Sequence, residues 1–334
     1  MQDMIKYLYP YLIRSYMKRL WSFEVQLGSV PHVADGEITF LDSDNNLIVL
    51  NSYGDTIRKK ELGRRCVRYD HYFDTQMLRH DLPEVIKDEE LVIALDDGRL
   101  ISLDHELEEN WGYASRKRFA SPSRDGDEII TGCEDGYLYS FSNGRLKWCF
   151  NCKSPITNVV LHTKAGHVFA AQDNYVYCVK RNGALNWRFK ADGMITAKAS
   201  MHLDNMVVGS HDKHIYVLDM DGNLVEKHKV DGPVLSESEA LGTKLFAPVC
   251  SEGGLVELSN KETFEHSHWV AARPKIIDNV LVFGSIDGFV YLVEPANLSR
   301  FKKYRVGERI MHPIQDMEGN LLVPTDRSLH MFRR

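Results

Sequence analysis

The sequence is short of the features that usually announce chemistry, export or membrane insertion. Six cysteines in 334 residues are too few for a disulfide framework, and with no export signal they read as reduced thiols of a cytoplasmic protein. A membrane-spanning helix needs ~20 apolar residues in a row. The nearest approach is "MQDMIKYLYPYLIRSYMKRLW" at the start of the chain, whose longest charge-free stretch, Tyr7 to Ile13, is interrupted by Pro10. No transmembrane segment is expected, and no small-residue cleavage site follows an apolar core there. Basic residues do not dominate: 41 Lys and Arg against 47 Asp and Glu leave a net charge of −6, which excludes a molecule that binds nucleic acid over its whole surface. There is no G-x-S-x-G elbow, no phosphate-binding glycine loop and no H-E-x-x-H pair. The expectation is a protein with no catalytic residues and no cofactor.

Helix-length amphipathic segments are missing too. What stands in their place is a repeat. "DGYLYSFSNGRLKWCF", residues 135 to 150, holds two hairpin signals, Asp135-Gly136 and Asn143-Gly144, around an alternating run that ends on a tryptophan strand. Similar turns place their second residue at Asn46, Gly98, Gly136, Asn174, Lys213, Gly253, Gly288 and Arg327, at intervals of 52, 38, 38, 39, 40, 35 and 39. A period near forty means stacked supersecondary units. The preceding residues are Asn45, Asp97, Asp135, Asp173, Asp212, Glu252, Asp287 and Asp326. A short acid there accepts hydrogen bonds from the amides of its own turn, a structural task.

Each turn leads into an alternating strand such as "YLYSFS", "YVYCVK" or "FVYLVE", and follows another β-rich run such as "EIITGC" or "NMVVGS". Four short antiparallel strands per forty residues make a propeller blade, and eight units make an all-β, eight-bladed propeller. The last unit stops at "SLHMFRR" without an outer strand, whereas "RLWSF" at residues 19 to 23 has the form of the outer strands "LKWCF" and "LNWRF". Pairing the N-terminal strand with the last blade would close the ring and remove its open edges. The chain divides into an N-terminal docking arm, 1–19, and a propeller, 20–334, with an insertion at 63–88 where the interval is longest.

At "DGYLYSFSNGRLKW", "DNYVYCVKRNGALNW" and "DGRLISLDHELEENW" the sequence resembles the PQQ-like, or quinoprotein-type, propeller repeat: an Asp-Gly turn, a tyrosine-rich strand, a glycine and a tryptophan. The resemblance runs from about residue 20 to 334. It implies that Trp21, Trp111, Trp148 and Trp187 pack between blades, while Glu226 takes the tryptophan position in "GNLVEKH" and Phe301 lies near it in "NLSRFKKY". The family contains quinone-dependent dehydrogenases, which use an adjacent cysteine pair and a calcium site, and cofactor-free scaffolds, such as the outer-membrane assembly lipoprotein. No Cys-Cys pair exists here, and the lipoprotein's export signal and lipid-bearing cysteine are also missing. The resemblance therefore favours the scaffold members.

Several clusters invite a sharper interpretation. Cys149 and Cys152 form C-x-x-C, but zinc needs a second matching pair. "DSDNN" and "DMDGN" open like calcium loops yet reach Tyr53 and Val230 at position twelve, where a glutamate would be needed. The insertion carries Asp70, His71, Asp74, His80 and Asp81 in no known ligand spacing, and His266 and His268 lack a third ligand. Basic triplets at Arg58, Lys59 and Lys60, at Arg116, Lys117 and Arg118, and at Lys302, Lys303 and Arg305 fit charged edge strands. Aromatic residues and arginine dominate binding hot spots, so partner contacts are expected at Tyr7, Tyr9, Tyr11 and Tyr16 in the arm and at Tyr69, Tyr72, Phe73 and Arg79 in the insertion. The resulting expectation is a non-enzymatic scaffold for the proteins of a larger intracellular complex. Two alternatives stay open: a quinone- or metal-dependent oxidoreductase using the central channel, and an RNA- or DNA-associated subunit touching phosphate with its basic rim.

Overall fold

A computed structural model describes residues 17–63, 85–86, 90–95, 97–251, 254–264, 268, 270 and 272–334. Among these, the strands form eight four-stranded antiparallel sheets. Seven sheets are consecutive in sequence: blade 1 spans residues 32–61, blade 2 85–114, blade 3 123–151, blade 4 161–190, blade 5 200–229, blade 6 239–264 and blade 7 275–305. Blade 8 takes three strands from residues 315–333 and its outermost from Lys18–Glu24. That strand runs antiparallel to Ser328–Arg333, with Trp21 opposite Met331 and Phe23 opposite Leu329. The two ends of the chain thus share one blade.

Alternation explains why these sequences become strands, and burial explains how the strands are ordered within a blade. The second and third strands are covered on both faces, as in Glu128–Gly132 and Tyr137–Ser142, where four consecutive residues are buried. The outermost strands alternate between exposed and half-buried positions, as in Glu109–Ala114 and Leu185–Lys190. The core is divided among the seams between neighbouring blades. Ile130 and Leu138 of blade 3 meet Phe169, Tyr177 and Val179 of blade 4. Val168, Val176 and Cys178 of blade 4 meet Met206, Val208 and Tyr216 of blade 5. The closing seam joins Leu322, Leu329 and Met331 of blade 8 to Ile38, Phe40, Ile48 and Leu50 of blade 1, with Trp21 and Phe23 packed against them. Each blade is stable because a neighbour covers each of its faces.

The turn is closed by a bond from an amide to the carbonyl four residues on in blades 2, 3, 4, 5 and 7, is one residue longer in blade 6 (Val249 to Gly254) and one shorter in blade 8 (Thr325 to Ser328), and is shifted in blade 1. In blade 3, the Gly136 amide bonds the Cys133 carbonyl and the Cys133 amide bonds that of Tyr137. In blade 1 the same two bonds run from Asn45 to Asp42 and from Asp42 to Asn46. Asn45, at φ 63°, therefore occupies the place of Gly136, at φ 88°. The acid before it is Asp44, so the repeat is one residue out of the sequence-based register there, and Asn46 begins the strand instead of ending the turn.

Closure by the N-terminal strand has a direct consequence. A chain lacking residues 1–24 exposes the Ser328–Arg333 edge and uncovers the seam beside Trp21 and Phe23. It is expected to self-associate in size-exclusion chromatography and to melt well below the full chain. A monomeric truncation with an unchanged melting temperature would show that the ring does not depend on this strand.

Candidate functional site: seams, turns and outer rim

Each blade presents a turn at the end of its second strand, and every blade but blade 8, whose outermost strand comes from the start of the chain, has a hairpin before its outermost strand. In four blades the turn carries an Asp and, four residues on, a Tyr. The Asp135, Asp173, Asp212 and Asp287 Oδ1 atoms accept the amide two residues later at 2.9–3.1 Å, and their Oδ2 atoms accept the hydroxyls of Tyr139, Tyr177, Tyr216 and Tyr291 at 2.6–2.7 Å. One carboxylate thus ties the turn to its strand. Burial, then the adjacent aspartate, pushes the Tyr139, Tyr177 and Tyr291 phenols up, so they remain donors. Blade 2 has Ile101 at the tyrosine position, and Asp97 pairs with Arg99 at 2.7 Å. In blade 8 Asp326 pairs with Arg309 at 3.0 Å, while Thr325 Oγ1 accepts the Arg327 and Ser328 amides. Glu252 lies outside the described residues.

The hairpin before the outermost strand meets the tryptophan of the preceding blade. Trp21 lies over Gly54, Trp111 over Gly144, Trp148 over Gly183 and Trp187 over Gly222. A Cβ on these glycines would sit 2.7, 2.7, 3.1 and 2.5 Å from the indole, and their φ values of +72° to +86° already disfavour an L side chain. The glycine and tryptophan of the repeat are therefore two halves of one contact across a seam. The Trp21 and Trp187 indoles donate to the carbonyls of Ser52 and Met220 in the next blade, both at 2.9 Å. Those of Trp111 and Trp148 donate to Glu90 at 2.5 Å and Glu128 at 3.2 Å in their own blades.

The position beside the bulge of the outermost strand is filled differently elsewhere. Arg58 occupies it in blade 1 and pairs with Glu37. Glu226 occupies it in blade 5 and meets His228 at 2.7 Å. In blade 7 it is Phe301, whose ring lies edge-on to Phe264 of blade 6 at 5.0 Å. Blade 6 has a three-residue outer strand with no register shift. At the seam between blades 6 and 7 the aromatic contact is made by Phe264 against Phe283, Tyr291 and Phe301.

The other candidates fall into place around this frame. Asp219 of "DMDGN" binds the amides of Asp221 and Asn223 at 2.9 and 2.8 Å, and Asp42 of "DSDNN" binds those of Asp44 and Asn46 at 2.9 Å each, so both segments are hairpin turns. Cys149 is exposed on the outermost strand, while Cys152 contacts the carbonyls of Gly136 and Ser154, and burial pushes its thiol up to about 11. In the basic clusters, Lys60 reaches the Leu107 carbonyl of blade 2, Arg118 pairs with Glu134 at 3.0 Å and Lys303 covers the Phe289 ring. These cations serve the blades. The arm residues Tyr7, Tyr9, Tyr11 and Tyr16, the insertion residues Tyr69, Asp70, His71, Tyr72, Phe73, Asp74, Arg79, His80 and Asp81, and His266 lie outside the described residues.

Sequence reading missed one cluster. His162 and His167 face each other across the first hairpin of blade 4, with Asp125 of blade 3 beside them. Four residues separate the two histidines, a spacing that pairs across a tight hairpin but belongs to no recognised motif.

The family model described as outer membrane protein assembly factor BamB matches residues 88–267, just over half of the chain. The chain belongs to the PQQ-like propeller family. Among solved structures, BamB from Moraxella catarrhalis aligns over 96% of this chain and 100% of its own, with 12% identity and a TM-score of 0.75. The computationally designed Ika8 protein aligns over 95% and 100%, with 14% identity and a TM-score of 0.76. Both share the fold. A search of the curated proteins finds no match. Within the PQQ-like repeat, the Asp-Tyr pair and the Trp-Gly contact account for the two most regular features of the pattern.

Both contacts can be weighed by substitution. Gly242 has φ +59° and nothing within 4 Å of where a Cβ would stand, whereas Gly222 has φ +81° and Trp187 in the way. Gly242→Ala is expected to cost about 1 kcal/mol and Gly222→Ala about 3 kcal/mol or more, measured by denaturant unfolding. Equal losses would remove the steric role of the tryptophan.

For the turn, Tyr177→Phe is expected to cost about 1–2 kcal/mol and Asp173→Ala more, because the second change also leaves the Tyr175 amide without its acceptor. The reverse order in the same unfolding measurement would contradict the shared-carboxylate arrangement.

Proposed function

We propose that this PQQ-like propeller is a non-enzymatic scaffold that holds other proteins within an intracellular multiprotein assembly. The observation that carries the reading is a row of exposed leucines. Leu146, Leu185 and Leu224 are 45%, 45% and 47% exposed on the outermost strands of blades 3, 4 and 5. Each pairs at the same register position after the bulge, opposite Phe141, Val179 and Leu218. Val225, at 50% exposure, extends the row. Apolar side chains repeated at one radius on three rigid blades form a strip suited to the apolar face of a protein partner. The family match to an outer-membrane assembly factor supports a scaffold role. For the setting inside the cell, the support is cysteine usage: six in 334 residues are too few for a disulfide framework, and the five described ones are unpaired with one another. No described helix is long and apolar enough to cross a membrane.

The arm with Tyr7, Tyr9, Tyr11 and Tyr16 and the insertion with Tyr69, Tyr72, Phe73 and Arg79 are the second and third docking elements of this proposal. The test is affinity purification from the native source with mass spectrometry, using the full chain, a chain lacking residues 1–16 and the triple variant Leu146→Glu, Leu185→Glu and Leu224→Glu. A reproducible partner set for the full chain, lost or thinned in the triple variant, is expected. A full chain that retains no partner, together with a stoichiometric chromophore in its visible spectrum, would replace the scaffold with the oxidoreductase alternative.

A further inference from the structure

The seam between blades 3 and 4 holds a cluster that neither the repeat nor the scaffold role requires. His162 Nδ1 and His167 Nδ1 stand 3.0 Å apart. Asp125, at the tip of the first hairpin of blade 3, brings Oδ2 to 3.9 Å from His167 Nδ1. One ligand atom from each of the three residues lies within 4.8 Å of the others. His167 is 1% exposed and stacks on Trp148, with ring centroids 5.6 Å apart. The other ring nitrogen, Nε2, of both His162 and His167 is buried with no hydrogen-bond partner.

We propose that His162, His167 and Asp125 form a binding site for a divalent transition-metal ion of the zinc class, clamping blade 3 to blade 4. Two imidazole nitrogens bound at about 2.0–2.1 Å to one tetrahedral ion lie about 3.3–3.4 Å apart, so the present pair needs to open by only a few tenths of an ångström. Imidazole and carboxylate are ligands such an ion accepts together. A direct hydrogen bond between the two Nδ1 atoms requires one ring to carry its proton there. Because neither Nε2 has a partner, moving that proton to Nε2 breaks no contact except the one the ion replaces, and both lone pairs then face inward. No proton leaves the protein in this step.

Arg181 is the competitor. Its Nε donates to Asp125 Oδ2 at 2.8 Å and its Nη2 reaches the Thr163 carbonyl at 3.3 Å, but its side chain is half exposed and free to swing outward. Lys198 adds positive charge near His162. The cation must therefore displace or share the carboxylate with the guanidinium. That makes Arg181 a restraint on affinity and not a ligand.

The probe is Zn²⁺ alone, added to chelator-treated full-length protein and followed by equilibrium dialysis with elemental analysis. Co²⁺ substitution reads the ligand geometry in the visible spectrum. One equivalent of Zn²⁺ is expected in the unaltered chain, with loss of binding in His162→Gln and His167→Gln, weaker binding in Asp125→Asn, and equal or tighter binding in Arg181→Gln. Asp125 sits on a half-exposed hairpin, so Asp125→Asn tests the site in a chain that folds even where His167→Gln does not. Zn²⁺ should also raise the melting temperature of the unaltered chain but not of His162→Gln. Absence of binding in the unaltered chain, or binding that all three ligand variants retain, would overturn the assignment.

Discussion

A blade whose second and third strands are apolar on both faces has no stable existence alone. This constraint governs the molecule. Each seam buries residues from two sheets, so the hydrophobic effect acts between blades and not within them. A row of such sheets would always leave two faces bare, and only a closed ring removes both. The strand at Lys18–Glu24 supplies the closure, and the contact of Trp21 with Gly54 across the closing seam has the same form as the internal ones. The first and last parts of the chain thus enter one cooperative unit.

The ring is uniform in topology and uneven in chemistry. Tryptophan over glycine joins blades 8 to 1, 2 to 3, 3 to 4 and 4 to 5, whereas the contact between blades 6 and 7 runs through Phe264 and Phe301. The exposed leucines of blades 3 to 5 lie along the tryptophan arc. Their repetition follows from the repeat itself: once the bulge fixes the register of one outer strand, the same position in the next blade faces solvent at the same radius. Rotation of one blade's pattern about the ring turns a single apolar residue into a strip.

Turn chemistry supports the same economy. An aspartate that holds both its turn amide and a tyrosine hydroxyl orients the strand that follows, and that strand fills the seam. Where the tyrosine is missing, as at Ile101 and His330, the carboxylate is held by Arg99 or Arg309 instead. One carboxylate oxygen stays paired in each case, while Asp326 Oδ1 in blade 8 is buried without a partner.

Much of this was legible in the residues. Alternation gave strands, the forty-residue period gave blades, and the orphan "RLWSF" strand identified the closure, because these signals are local or strictly periodic. The acid of the turn was legible as a cap, while its tyrosine partner was not, since a spacing of four has no meaning until the turn reverses the chain. The glycine of the repeat was visible as a hairpin residue; that it also makes room for an indole emerged only when a second blade was placed beside it. At the start of the repeat Asn46 looked like the turn residue, and the backbone hydrogen bonds gave that place to Asn45. The cluster of Asp125, His162 and His167 was invisible for the same reason at longer range. Local pattern by itself determined the strands, their count and their closure. Proximity across seams, which depends on how one blade's side chains lie against the next, was decided by the tertiary structure alone.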